Sequence, residues 1–335
     1  MRTPRTSVVV ASCSTVAIRL YVITYARISP YAFQMETRPD ILVLGGGGRA
    51  GDAWMTGVLA GIEDASGFTL SGCDYFVGTS AGSIVATRLV AGEKLRRPVM
   101  DDASPAGAQR APEPSAFTNW ALALAGPAAS VGMRAATRPT AFARSVALRY
   151  ASSGDRAPIG PVLSSRRPTS AAAGGGKAAA DLPWDGRLRV VAVERRSGRR
   201  VVFGSPGAPT ATVAQAVQAS CSVPVMFGPT VIGGHEYVDG GVWSLTNGDV
   251  APAARGAHLL LLAPTASLYG PLNPLLRTAS RAAYLVEASV LSARGARVRA
   301  VTPGREAAAA IGRELMSGAR VKAILAAGYR QGLAL

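Results

Sequence analysis

Cysteine is scarce in this 335-residue chain: Cys13, Cys73 and Cys221 are too few and too scattered for a disulfide framework or a zinc site. A reduced, cytoplasmic setting is therefore the expectation. Histidine is scarcer still, with only His235 and His258, which restricts metal chemistry and ordinary serine triads alike. Charged residues make up 17 % against 48 % apolar, a composition that excludes a disordered tail protein and allows a large core. Long hydrophobic runs are missing: nothing approaches the roughly 20 residues of a membrane span, and the most apolar stretch, His258–Pro264, has the length of a buried strand. Acids are few, 20 against 36 Lys+Arg, for a net charge of +16, and only three of the bases are lysines. Arginine-rich, alanine-rich coding accounts for such a balance without function. Attraction to an anionic membrane or nucleic acid accounts for it as well, and charge alone does not choose.

Residues 1–38 read as a leader, unstructured or an over-extended start, ahead of a domain over 39–335. Arg19 and Arg27 interrupt the apolar stretch a signal peptide would need, whereas Met35 is followed at once by a strand-like ILVL. Residues 1–34 hold four arginines and no acid, so without them the +16 falls to +12 and the body stays basic. From Ile41 the pattern is strand, glycine turn, helix (Ala53–Glu63), strand (Tyr75–Val77), turn, helix (Ser83–Ala91), which predicts an α/β sheet with parallel strands. Between about 93 and 185 Pro, Ala, Ser and Arg dominate. This low-complexity insertion, with short helices expected near 117–124 and 142–150, is either a surface excursion or a lid. The α/β pattern then resumes: a hairpin (Leu188–Val193, Arg200–Phe203), a helix (Thr212–Ser220), a strand (Leu259–Leu262), a helix (Leu275–Leu291), a strand (Val298–Val301) and a last helix from Glu306.

Two glycine clusters carry the chemistry. Gly46-x-Gly48-x-x-Gly51, between a strand and a helix, fits a dinucleotide fingerprint with Glu63 or Asp74 as the ribose acid. It fits equally an oxyanion loop, where glycines let backbone N–H groups approach a developing negative oxygen. Gly78-Thr79-Ser80-Ala81-Gly82 matches G-x-S-x-G in a strand–turn–helix context, which lifts a serine hydroxyl into the open beside a helix N-terminus. A nucleophilic serine needs a base. Asp239 and His258 follow it in the chain order of a triad, but His258 opens an apolar strand and His235 belongs to a Gly-Gly turn. Asp239, after a strand and before two glycines, is a carboxylate that can take the serine proton directly if it lies within reach.

Taken in order, Gly45–Gly51, Gly78–Gly82, Ala219–Pro229 and Tyr237–Gly241 resemble the patatin-like phospholipases, serine acyl hydrolases with a Ser-Asp dyad. The resemblance implies a three-layer α/β/α sandwich with a mostly parallel central sheet. It implies Ser80 as nucleophile, Asp239 as base, and Gly46, Gly47 and Gly48 as the oxyanion loop, with no metal or organic cofactor. A lipid or phospholipid acyl ester is the implied substrate and an anionic membrane surface the implied peripheral partner, with nucleic acid given no role. Many relatives carry a basic residue where Ala50 stands, and Arg49 lies one place early, so it receives no catalytic role. A non-catalytic lipid-binding relative and a nucleotide-binding oxidoreductase are the alternative readings.

Overall fold

The computed structural model describes residues 37–99, 182–224 and 226–335, all within one compact unit. The leader to residue 36 and the helices expected near 117–124 and 142–150 lie outside the described residues.

The short apolar runs become strands of one sheet: β1 (Ile41–Leu44), β2 (Tyr75–Thr79), β3 (Leu188–Glu194), β4 (Arg200–Phe203), β5 (Thr230–Ile232), β6 (His235–Asp239), β7 (His258–Leu262) and β8 (Arg297–Val301). Hydrogen-bonded neighbours follow the path β5-β6-β3-β2-β1-β7-β8, with β4 also on β3. The pairs among β3, β2, β1, β7 and β8 are parallel, and β4, β5 and β6 join antiparallel. Every residue of β1 is buried, as its unbroken ILVL demands of a strand covered on both faces.

Helices α1 (Gly48–Ser66), α2 (Ala81–Val90), α3 (Val213–Ser220), α4 (Pro274–Ala293), α5 (Arg305–Ile311) and α6 (Val321–Leu333) complete the layers. The chain steps one way along the sheet from β1 to β3 and the other way from β7 to β8. Right-handed crossovers therefore put α1 and α2 on one face and α4 on the opposite one. Helix α1 is buried from Ala50 to Ile62 and packs on α6 through facing glycines. A Cβ on Gly57 would stand 2.3 Å from Leu325 O, and one on Gly332 2.2 Å from Val58 O, so the two backbones touch.

Two boundaries differ from the periodicity. Helix α1 begins at Gly48 rather than Ala53, because its first turn consists of small and polar residues that show no apolar spacing. The last helical region is two helices, since Gly312 takes a left-handed φ of 72° and ends α5.

The sheet also aligns two strand ends. Along one edge of β3, β4 pairs with Val190–Val193. The other edge is shared: β2 covers Leu188–Val191 in parallel, and β6 covers Ala192–Glu194 in antiparallel. Thr79, the last residue of β2, is opposite Val191, and Asp239, the last of β6, is opposite Ala192. Two strands running toward each other thus end at neighbouring positions of a third. Ser80 follows one of them, and Asp239 closes the other.

Candidate active site

Ser80 turns the chain from β2 into α2 with φ 52° and ψ −122°, a backbone conformation that few non-glycine residues adopt. The turn is held from both sides. The Ser80 N–H donates to Ser220 Oγ at 2.9 Å, and Ser220 Oγ–H donates to Val191 O at 2.6 Å. The Ser80 carbonyl accepts from Ser83 Oγ at 2.7 Å and from Ser83 N at 2.9 Å. Ser220 is placed by α3, whose start is a capping box: Thr212 Oγ1 accepts from Gln215 N, and Gln215 Oε1 accepts from Thr212 N. Both glycines of G-x-S-x-G are required by close approach. A Cβ on Gly82 would be 1.9 Å from Leu44 O, and one on Gly78 would be 2.4 Å from the Ser83 Cα.

Asp239 is buried. Its Oδ1 accepts the Gly241 N–H at 2.6 Å, while Oδ2 meets no hydrogen-bond donor among the described residues. Burial pushes the carboxyl from the ordinary 3.8 up to about 7, and the facing Ser80 hydroxyl and Gly241 amide offset part of that rise. The Ser80 hydroxyl is thus near enough to favour the carboxylate, yet it has not closed to a bond of ordinary geometry on Oδ2. Apo catalytic pairs often sit this way. Next to it, Gly240 leaves no room for a side chain, since a Cβ there would be 2.4 Å from Val191 O.

The first glycine cluster follows β1, whose end lies beside the end of β2. A Cβ on Gly46 would be 3.3 Å from the Ser80 Cβ, so the loop borders the nucleophile. The Gly46 N–H is engaged, donating to Leu245 O at 2.6 Å. The amides of Gly47 and Gly48 precede the first intrahelical bond of α1, Gly51 N to Gly47 O, and take no partner in the bonds of this turn. Among the described residues the loop therefore offers Gly47 and Gly48 as donors without a partner in this turn, and Gly46 as the residue that shapes it. Arg49 is exposed with its guanidinium over Gly318.

Neither histidine reaches this edge. His258 starts β7, four residues from its end, or about 13 Å at 3.3 Å per residue. There its Nδ1 bonds Thr37 Oγ1 at 2.7 Å. His235 starts β6, four residues before Asp239, and is exposed. The acids of the dinucleotide reading are equally remote: Asp74 precedes β2 at the opposite edge of the sheet, and Glu63 lies near the far end of α1, where its Oε1 accepts the Leu70 N–H. Among the described residues no group of three His, Cys, Asp or Glu could hold a metal ion. The thiols of Cys73 and Cys221 are both buried, which raises their pKa values, Cys73 to about 12.

Three contributors escaped the sequence reading. Ser220 lies inside the Ala219–Pro229 stretch, where nothing local distinguishes it from its neighbours. Asn247, buried with a left-handed φ of 51°, donates from Nδ2 to Thr79 Oγ1 at 3.1 Å and to Gly240 O at 3.2 Å. It thereby ties the residue before Ser80 to the residue after Asp239. Glu287 on α4 holds the loop that carries Asn247. A left-handed Asn before a glycine is a readable turn signal; the other two have no local signature.

One comparison places the chain in a family. A family model described as patatin-like phospholipase matches residues 42–251, more than half of the chain, and the chain belongs to that family. The match runs through the glycine loop, the elbow, Asp239 and Asn247, and membership supports lipid acyl hydrolase activity in general. Among solved structures, VipD from Legionella pneumophila is similar at 15 % identity with a TM-score of 0.39, over 88 % of this chain and 66 % of that one. The chain thus spans just under two thirds of the length of that neighbour. No curated protein matches the chain.

Proposed function

We propose that the chain hydrolyses acyl esters of lipids or phospholipids through an acyl-serine intermediate, with Ser80 as nucleophile and Asp239 as base. The observation that carries this reading is the meeting of β2 and β6 on one edge of β3, where a strained serine lies beside a buried carboxylate, one oxygen of which has no partner among the described residues. In the first half-reaction Asp239 Oδ2 takes the Ser80 proton as Oγ bonds to the ester carbonyl carbon. The carbonyl oxygen becomes an oxyanion facing the amides of Gly47 and Gly48. The tetrahedral centre then collapses, the C–O bond to the alcohol breaks, and Asp239 returns the proton to the leaving alkoxide. In the second, Asp239 takes a proton from water, the hydroxide attacks the acyl carbon, and the fatty acid leaves as Ser80 regains its proton. The positive end of α2 lies at Ser80 and favours the negative charge that develops there.

An anionic lipid surface is the proposed peripheral partner, reached from a cytoplasmic location. Support comes from the net charge of +16 and from exposed Leu268 and Tyr269, which lie on the loop whose Pro264 packs against Gly47. No helix among the described residues is long and apolar enough to cross a membrane. The domain remains proposed as 39–335, with residues 93–185 as an insertion in it.

The test is fluorophosphonate labelling with the modified peptide located by mass spectrometry. Label on Ser80 that is lost in Asp239→Asn supports the dyad, and a lipid screen then finds the substrate. Label that depends on His258 defeats it. Folded protein that takes no label and releases no fatty acid would point to the non-catalytic lipid-binding relative.

A further inference from the structure

A second buried carboxylate, Glu287, lies on α4, in the layer opposite α1 and α2. Its Oε1 accepts Ser244 Oγ–H at 2.6 Å, and its Oε2 accepts Thr246 Oγ1–H at 2.5 Å and Gly248 N–H at 2.7 Å. Ser244 Oγ in turn accepts the amides of Thr246 and Asn247, both at 3.3 Å. One carboxylate therefore closes the whole turn from Ser244 to Gly248.

That turn bonds to a residue next to each part of the proposed machinery. Leu245 O accepts the Gly46 N–H at 2.6 Å, which sets the glycine loop. Asn247 Nδ2 reaches Thr79 Oγ1, immediately before the nucleophile, and Gly240 O, immediately after the base. All three of the bonds on Glu287 come from neutral donors, two hydroxyls and an amide. A buried charge held by such partners costs desolvation that an apolar residue of similar size would avoid. Stability alone does not account for a carboxylate there, whereas fixing one turn against three separate segments requires several acceptor lone pairs at one point.

We infer that Glu287 is a positioning residue: by bracing Ser244–Gly248 from the far side of the sheet it sets the distance between Ser80, Asp239 and the oxyanion amides. It touches none of the reacting atoms, and its effect on turnover rests on the Ser80–Asp239 reading above. Glu287→Gln keeps the shape but replaces one acceptor oxygen with a donor, so one of the three bonds must turn or break.

The experiment compares Glu287→Gln, Ser244→Ala and the double variant on a soluble short-chain p-nitrophenyl ester, with kcat counted per fluorophosphonate-labelled site. Amide hydrogen exchange is followed in parallel by mass spectrometry. Glu287→Gln is expected to lower kcat by about 10–100-fold with KM within about threefold, since small misplacements cost rates of this order. Exchange in the peptide holding Gly46 should rise tenfold or more while β7 and β8 keep the wild-type rate. Ser244→Ala should shift both readouts in the same direction by less, and the double variant should be no worse than Glu287→Gln. Unchanged kcat and unchanged Gly46 exchange in folded Glu287→Gln would overturn the inference, as would exchange raised evenly across the sheet. If Glu287→Gln does not fold, Ser244→Ala decides by the same two readouts. If wild type does not turn over, the dyad reading fails, and the exchange pattern still decides the brace.

Discussion

Asp239 and Glu287 are both buried carboxylates near the same strand ends, and they are furnished in opposite ways. Among the described residues, Asp239 has a single amide on Oδ1 and no closed hydrogen bond on Oδ2. Glu287 has both oxygens engaged by three donors. Burial raises the pKa of each, but only at Asp239 does an oxygen remain to accept a proton from a neighbour. The contrast teaches that burial by itself does not mark a base. A base is a buried carboxylate left partly unsatisfied; one whose lone pairs are filled is a brace.

The largest effect that could break this contrast is loss of the dyad. Ser80→Ala and Asp239→Asn should each reduce ester hydrolysis by about 10⁴-fold or more, measured as fatty acid release against the fully folded variant. Retention of activity in Asp239→Asn would remove the distinction between the two acids.

Next comes the pH dependence. The base must be ionised, so kcat/KM should fall about tenfold per unit as pH drops below about 7 and level off above it. The Ser80 hydroxyl offsets part of the rise at Asp239, so Glu287→Gln, by loosening that pair, should lower the plateau and move the inflection up rather than down. A pH–rate profile of the two proteins checks both statements.

Stability should separate the acids by sign. The folded Asp239 carboxyl keeps its proton up to about 7, whereas the unfolded one releases it near 3.8. Between those values the folded state binds more protons, so this group's contribution to stability is full at low pH and is lost as pH rises to about 7. Asp239→Asn abolishes that loss and should stabilise the protein at pH 8 by about 4 kcal/mol at most, with little gain at pH 4. Glu287→Ala should instead destabilise it by about 1–3 kcal/mol for each donor left unpaired. Urea melts at the two pH values give both signs.

The smallest expected effect is that of the histidines. His235→Ala with His258→Ala should leave ester hydrolysis within about twofold, because both residues are about 13 Å along their strands from the site edge. A large loss of rate in that double variant would replace the dyad with a triad.

Much of this was legible in the chain itself. Apolar runs such as Ile41–Leu44 and Leu259–Leu262 announce buried parallel strands, and the two pair as neighbours inside the sheet. G-x-S-x-G announced a tight strand-to-helix turn, and both of its glycines prove necessary through clashes of 1.9 Å and 2.4 Å. Asp239 stood out because two glycines follow it. The start of α1 was not readable, since Gly48–Asp52 has no apolar spacing to count. Nor was the engagement of the Gly46 amide, which depends on a carbonyl 199 residues away in sequence, Leu245 O.

The amino-acid sequence by itself determined the residue types and their local geometry: which serine sits in a strained elbow, which acid ends a strand, and which loop can bring bare amides close. Those are short-range consequences of glycine sterics and of apolar periodicity, and they act within a few residues. Only the tertiary structure decided which of these groups meet. Val191 and Ala192 on β3 bring Ser80 and Asp239 to adjacent positions across 159 residues of chain, and Glu287 reaches their connecting turn from another layer. Such meetings depend on sheet order and register, which many weak contacts specify together and no single stretch of sequence records.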